Sequence, residues 1–278
     1  MHSRKEQKGT DVFGRTDSYQ DPTFLTTYLD TVDSLLPIRE SKQRLYNLLD
    51  PQAGELIIDL GCGIGTTVRE MALRTNKSTR FFGIDNSQTM INKAEESTPE
   101  DLVSSGIISF LKQDANNLRF GDETFDAAYA DRLFQHLANP KQVIREIVRV
   151  LKPGGRLIIA DSCWEDLRIE GISEEASGVI RKTLLSIIEN PLLAKFVWEL
   201  MIQEGIKQES VTVEKIKLKF KGLKSSEAVL KIKEALKIGC DSGAISIEEM
   251  NMTLREIKNA NPDDITTFLD FYLTRGEK

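Results

Sequence analysis

The chemistry legible in this chain begins with a short string of acids and glycines. Asp59-Leu-Gly-Cys-Gly-Ile-Gly65 sets an acid two residues ahead of three alternating glycines, Gly61, Gly63 and Gly65. The apolar residues Leu56, Ile57, Ile58 and Leu60 precede the turn, and a helix-like segment follows it. Glycine allows positive φ and lets a ligand approach the main chain without a Cβ in the way. The helix behind such a turn presents unpaired N–H groups and the positive end of its dipole. A second strand, Arg80-Phe-Phe-Gly-Ile-Asp85, ends in an acid able to accept hydrogen bonds from ribose hydroxyls. The Gly-x-Gly-x-Gly spacing is not the Gly-x-Gly-x-x-Gly of dinucleotide sites. Asp59 would also repel a diphosphate. A nucleoside bearing a cationic or zwitterionic group suits the arrangement better.

The elements that must hold these residues follow from periodicity and punctuation. Asp21-Pro22 reads as a helix cap, with helices over 23–36 and 39–49 broken at Pro37. Strands at 55–60, 80–85, 106–112, 125–130 and 156–161 alternate with helices at 66–74, 87–97 and 140–151. Asn139-Pro140 caps the last of these helices, and Lys152-Pro-Gly-Gly155 stops it. Strand–helix alternation predicts an α/β fold with a mostly parallel sheet covered on both faces. Further on, helices near 174–189 and 191–204 precede a strand at 208–220 whose phase change predicts a β-bulge near Glu214–Lys215. Ser246-Ile-Glu-Glu249 is a capping box. It opens a helix with Ile247, Met250, Leu254 and Ile257 on one face, and alternation over 265–274 predicts a final strand. The lysines at 215, 217, 219 and 221 read as the solvated face of a strand near the sheet edge.

Bulk composition fits a soluble enzyme: 278 residues, 40% hydrophobic, 29% charged, net charge -6. That charge argues against nucleic acid as the main partner. No apolar run approaches a membrane span, and residues 1–15 lack the apolar core of a signal peptide. Cys62, Cys163 and Cys240 show no metal-ligand spacing, so no metal is expected and a cytoplasmic location is.

The string at 59–65 resembles motif I of the class I S-adenosylmethionine-dependent methyltransferases. Phe82-Gly-Ile-Asp85 with Asn86 resembles the second motif, Lys112-Gln-Asp-Ala115 the third, and Phe125–Asp131 with the loop to Pro140 the fourth strand and its sequel. Val143–Ala160 is similar to the branch that methylates small molecules, which includes quinone C-methyltransferases and natural-product O-methyltransferases. The resemblance implies a Rossmann-like seven-stranded, mostly parallel sheet with helices on both faces and the last strand antiparallel. It adds N-terminal helices at 21–50, a helical cap at 172–204 and a helical insertion at 225–258, all in a single domain over 21–275 behind a 1–20 arm. The implied cofactor is S-adenosyl-L-methionine. Its expected contacts are Asp59, Gly61, Cys62, Gly63, Gly65, Asp85, Asn86, Met90, Asp114, Ala115 and Asp131, with Asp85 on the ribose and Asp114 on adenine.

The expected partner is a small, lipophilic methyl acceptor. Its pocket is expected from Tyr19, Phe24, Tyr28, Arg132, Gln135, Asp161 and Trp164, under a cap made by the apolar residues of 172–204. His136 is the one imidazole outside the tail placed to act as general base, and a purely structural role stays open beside that one. A protein or RNA target, and a non-catalytic cofactor-binding protein of this fold, are the competing readings.

Overall fold

The computed structural model describes residues 23–278, with side chains from Leu25 onward. Two helices come first, α1 (Thr23–Ser34) and α2 (Leu36–Leu49). Pro37 does not lie between them. It sits in the first turn of α2, where its missing N–H has no helical partner to lose. The core then alternates β1 (Leu56–Leu60), α3 (Thr66–Arg74), β2 (Arg80–Asp85), α4 (Gln88–Glu96), α5 (Glu100–Ser104) and β3 (Ile108–Lys112). β4 (Phe125–Asp131), α6 (Pro140–Val150) and β5 (Leu151–Glu170) follow. The second half runs α7 (Glu174–Ile187), α8 (Val197–Gln203), β6 (Thr212–Lys221), α9 (Leu223–Leu230), α10 (Ile232–Asp241), α11 (Ile247–Asn259) and β7 (Thr266–Glu277).

The seven strands form one sheet in the order β3-β2-β1-β4-β5-β7-β6. β1 to β5 pair in parallel, and β7 is antiparallel to both β5 and β6. From β1 the chain builds outward through β2 and β3, then returns to lay β4 on the other side of β1. The strand order therefore reverses at the β1–β4 boundary, and a crevice forms at the carboxyl ends there.

Alternate residues of each strand feed two cores. Ile57, Phe81, Tyr129 and Ile158 pack toward α2, α3, α4, α7, α10 and α11. Ile58, Leu60, Ala128 and Ile159 pack toward α6 and α8. α6 shows how the sequence sets this. The Asn139 side chain accepts from Gln142 N–H at its start, and Val143, Ile144, Ile147 and Val150 then fall on one fully buried stripe. Each such side chain contributes about 1.5–3 kcal/mol by leaving water.

Three further expectations are corrected. β6 pairs with β7 in unbroken register from Thr212 to Lys221, so there is no bulge at Glu214–Lys215; the edge strand leaves Val213 45% exposed instead. The register shift lies in β5, between Cys163 and Arg168, where that strand continues well past residue 161 to follow β7. Ile247 is 59% exposed and Thr253 is buried, so the inward stripe of α11 starts one turn later than the apolar spacing suggests.

Candidate functional site

A cavity of about 400 Å³ lies over the carboxyl ends of four adjacent strands. In sheet order its wall carries Asp114 after β3, Asp85 and Asn86 at β2, Asp59 and Gly61 to Ile64 at β1, and Asp131 and Arg132 at β4. α1 and α2 close it with Tyr28, Leu29, Asp33 and Lys42, and the loop after β4 adds Leu133 and Gln135 to Ala138.

The glycine turn is built for close approach. Gly61 has φ 70°, and a Cβ there would stand 2.8 Å from a methyl of Leu133. Gly63 donates its N–H to Asp85 Oδ2 at 3.0 Å, while Asp85 Oδ1 accepts from Ser87 N–H at 2.9 Å. The Asp85 carboxylate is thus fixed between turn and helix start. Gly65 is different. It caps α3 at φ 74°, and a Cβ there would meet the Phe110 ring at 2.6 Å. It does not line the cavity, so its glycine is needed for packing. Asp114 Oδ1 accepts from the backbone and side-chain nitrogens of Asn116, which holds the loop that also carries Ala115.

Charge is concentrated at the β1–β4 end. Asp59 is 3% exposed, and burial pushes its carboxyl well above the usual range. The facing Tyr129 hydroxyl pulls it back, and nearby Asp131 adds to the rise. That hydroxyl is fully buried and makes no hydrogen bond of ordinary geometry. Arg132 follows β4 in the left-handed region, φ 56°, a conformation that costs a non-glycine residue energy. Its Nη2 donates to Asp33 at 2.8 Å and its Nε to Asp131 at 3.3 Å. Lys42 Nζ meets the other oxygen of Asp33 at 2.8 Å. Burial pushes the Asp33 carboxyl up, but Arg132 and Lys42 outweigh it and hold it below the usual range.

Behind the wall, Asp161 ends the central part of β5 at 1% exposure. Its oxygens accept the backbone N–H of Gln135 at 2.9 Å and of Ser162 at 2.8 Å. Burial pushes its carboxyl up to about 6, against the opposing pull of His136. Trp164 Nε1 donates to Gln135 Oε1 at 2.7 Å, and Asn190 Nδ2 donates to the carbonyl of Phe134 at 3.1 Å. Asp161, Trp164 and Asn190 therefore hold the 133–137 loop, which presents His136 to the cavity.

The predicted residues divide accordingly. Asp59, Gly61, Cys62, Gly63, Asp85, Asn86, Met90, Asp114, Ala115, Asp131, Tyr28, Arg132, Gln135 and His136 come together on one cavity. Asp161 and Trp164 do not line it; they are buried behind the loop. Tyr19 and the Phe24 side chain fall outside the described residues. None of residues 172–204 lines the cavity. Their apolar side chains are spent on the two cores, with Val179, Ile180 and Leu184 on one side of the sheet and Val197 and Met201 on the other. Sequence reasoning missed Asp33 and Lys42. Lys42 had a signal: it lies four residues after Ile38 and three before Leu45, on the buried stripe of α2.

Among the described residues, no cluster of three or more His, Cys, Asp or Glu is placed to hold a metal, and no helix is long and apolar enough to cross a membrane.

Residues 58–159 match the methyltransferase-domain family. An O-methyltransferase of Pyrenophora dematioidea is 38% identical over 120 residues, 43% of this chain and 44% of that protein. A sterol 24-C-methyltransferase of Eremothecium gossypii is 38% identical over 163 residues, 55% of this chain and 42% of that protein. The chain spans about half the length of the curated relatives it matches. The YcgJ protein of Bacillus subtilis superposes with a TM-score of 0.58 at 17% identity, covering 86% of this chain and 98% of that one, which shows a shared fold.

Proposed function

We propose that this chain, whose residues 58–159 match the methyltransferase-domain family, is a class I S-adenosylmethionine-dependent methyltransferase that transfers a methyl group to a small organic acceptor bound beside the loop after β4. The observation that carries the proposal is the single cavity crossing four strand ends, with the Asp85 carboxylate fixed at 3.0 Å from the Gly63 N–H. The residues fit the cofactor. A glycine turn whose Gly61 and Gly63 line the cavity, a carboxylate for ribose hydroxyls and a buried acid for an ammonium group all converge there.

In this reading Asp85 accepts the ribose hydroxyls, with Asn86 and Met90 beside the base. Asp114 and Ala115 meet the adenine edge. Gly61, Cys62 and Gly63 lie along the chain that joins nucleoside and amino acid, and Asp59 and Asp131 face the ammonium. When bound, the cofactor supplies a methyl group on a sulfonium, open to in-line displacement. The protein's part is to hold the acceptor atom in line, which is worth up to ~7–11 kcal/mol. His136, which lines the cavity, takes the proton when the acceptor is a hydroxyl.

The names of the two relatives support a small-molecule acceptor and leave its reacting atom, oxygen or carbon, to experiment. The sterol relative alone supports a lipophilic one, because the cavity wall is rich in charged and amide side chains and residues 172–204 do not cover it. The net charge of -6 supports a partner other than nucleic acid. The free thiols of Cys62, Cys163 and Cys240 support a cytoplasmic setting. The division into an arm over 1–20 and a single domain over 21–275 is part of the same proposal.

The test is incubation with methyl-labelled S-adenosylmethionine and an extract of the source cells. Label passing to solvent-soluble metabolites supports the proposal; label confined to protein or RNA overturns the choice of acceptor.

A further inference from the structure

The edge strand β6 has two unlike faces. Ile216, Leu218 and Phe220 pack inward with α2 and α9. Val213, Lys215, Lys217, Lys219 and Lys221 alternate with them on the opposite face and are exposed. The row is about 20 Å long and holds no acid. Across the register, Lys217 stands opposite Asp270 of β7, Lys219 opposite Phe268, and Phe268 opposite Arg168 of β5. Asp270, 1% exposed, is shared by Lys215 and Lys217. Lys219 and Lys221 make no ion pair among the described residues. This face therefore sets Arg168 and four lysines against Asp270 and Glu170, in a chain whose net charge is -6.

Apolar surface borders the cations. The turn Leu193–Lys195 packs on β7, where Ala194 and Tyr272 share a buried cluster, and α8 follows on the same side of the sheet. Phe196 and Trp198 in this segment are 45% and 36% exposed. The same turn packs against Phe134–His136, whose Gln135 and His136 line the cavity. β6 runs in the direction of β5, so Lys219 and Lys221 lie toward the carboxyl end of the sheet, where the cavity is.

Lysine on an edge strand discourages pairing with other strands. That accounts for neither the exposed Phe196 and Trp198 nor the row's lack of acids. Aromatic rings beside lysines on long apolar stems suit a lipid surface, with rings at headgroup level and ammoniums on the phosphates. Single-stranded RNA fits less well. It needs free aromatic faces for its bases, and here the Phe268 ring already carries Arg168 at 4.8 Å and Lys219 at 5.3 Å, and Tyr272 carries Lys215 at 5.6 Å. A chain of this net charge is repelled by an anionic surface unless one local patch makes the contact.

We propose that the outer face of β6 and β7, with Phe196 and Trp198 at its border, docks the protein on an anionic lipid bilayer. Docking sets the loop that carries His136 beside a source of lipophilic molecules. Docking itself does not depend on the methyl-transfer reading.

The experiment is co-sedimentation of the full chain with vesicles of phosphatidylcholine alone or with about 30% phosphatidylglycerol, at ~0.05 M and ~0.5 M salt. The wild-type protein binds the anionic vesicles at least ~tenfold more tightly than the neutral ones and is released by salt. Lys219→Gln/Lys221→Gln, which breaks no ion pair, weakens that binding about tenfold or more. Phe196→Ser/Trp198→Ser weakens it at least ~threefold. Lys237→Gln/Lys258→Gln removes as much charge from α10 and α11, which pack on the other side of the sheet, and leaves binding unchanged. Absence of binding to anionic vesicles overturns the proposal. So does equal weakening in the α10–α11 variant, which would make the attraction a general one. Capture of a single-stranded RNA or of polyglutamate without binding to vesicles assigns the face to another class of partner and overturns it as well. No arm contains S-adenosylmethionine, so failure of the cofactor reading leaves each of these outcomes as it is.

Discussion

The N–H of Gly63 donates to Asp85 Oδ2 at 3.0 Å, so the glycine turn of β1 and the acid at the end of β2 form one rigid unit. The acid shapes the turn and, in the proposed function, also accepts from a ligand. Asp85→Ala removes both. We expect it to weaken S-adenosylhomocysteine binding about 100-fold, or ~3 kcal/mol, and to lower the melting temperature. Asp85→Asn keeps an acceptor for Gly63 and is expected to recover most of the stability but little of the affinity. Calorimetry and thermal melts on both variants check this; full affinity in Asp85→Ala would place the ligand elsewhere.

Gly65 sits beside this unit without entering the cavity. A methyl group at residue 65 must meet the Phe110 ring at 2.6 Å and take φ 74°. Gly65→Ala is expected to cost ~1–3 kcal/mol in urea unfolding. Ligand affinity per folded molecule should change far less than in Asp85→Ala. Equal stability with lost binding would mean that Gly65 touches the ligand after all.

Burial holds the Asp59 carboxyl well above its usual range, with the Tyr129 hydroxyl opposing and Asp131 reinforcing the rise. An arriving ammonium favours the charged carboxylate and drives a proton off. Binding of S-adenosylmethionine should therefore release protons, and its affinity should rise with pH. Calorimetry at one pH in phosphate and in Tris reads this as a difference in apparent enthalpy. Asp59→Asn should abolish the difference, and a wild-type protein that shows none contradicts the assignment.

Asp161 gives a second pH dependence, one of stability. Its carboxyl is pushed by burial from the usual 3.8 to about 6. The folded state then binds a proton more tightly than the unfolded chain. This favourable contribution is complete below about pH 4 and is lost as pH rises through about 6, an effect of ~3 kcal/mol. Denaturant titrations from pH 4 to pH 7 should show the decline, and Asp161→Asn should flatten it. A parallel decline in the variant would assign the effect to another group.

What the sequence disclosed, and what it hid, divides by range. The turn at 61–65, the helix 66–74 and the capped start of α6 depend on neighbours a few residues away, and the structure shows them where periodicity and caps put them. Seven strands with the last antiparallel are implied by the resemblance alone, and no local pattern tells β7 to insert between β5 and β6. Local pattern ends β5 at 161, because its extension is dictated by pairing with β7, about a hundred residues later. The apolar surplus of 172–204 suggested a cap, but hydrophobicity does not say which surface it covers, and here two sheet faces take it. The Arg132–Asp33 pair spans 99 positions and had no local trace at all. Lys42 did leave one, as a cation on an apolar stripe.

The proposed crevice takes a sulfonium nucleoside and not a dinucleotide. The deciding experiment titrates the purified protein with S-adenosylmethionine and, separately, with NAD. Saturable one-to-one binding of the first in the micromolar range is expected, with at least 100-fold weaker binding of the second, a gap of ~3 kcal/mol. NAD binding as tightly as S-adenosylmethionine, or more tightly, would contradict it.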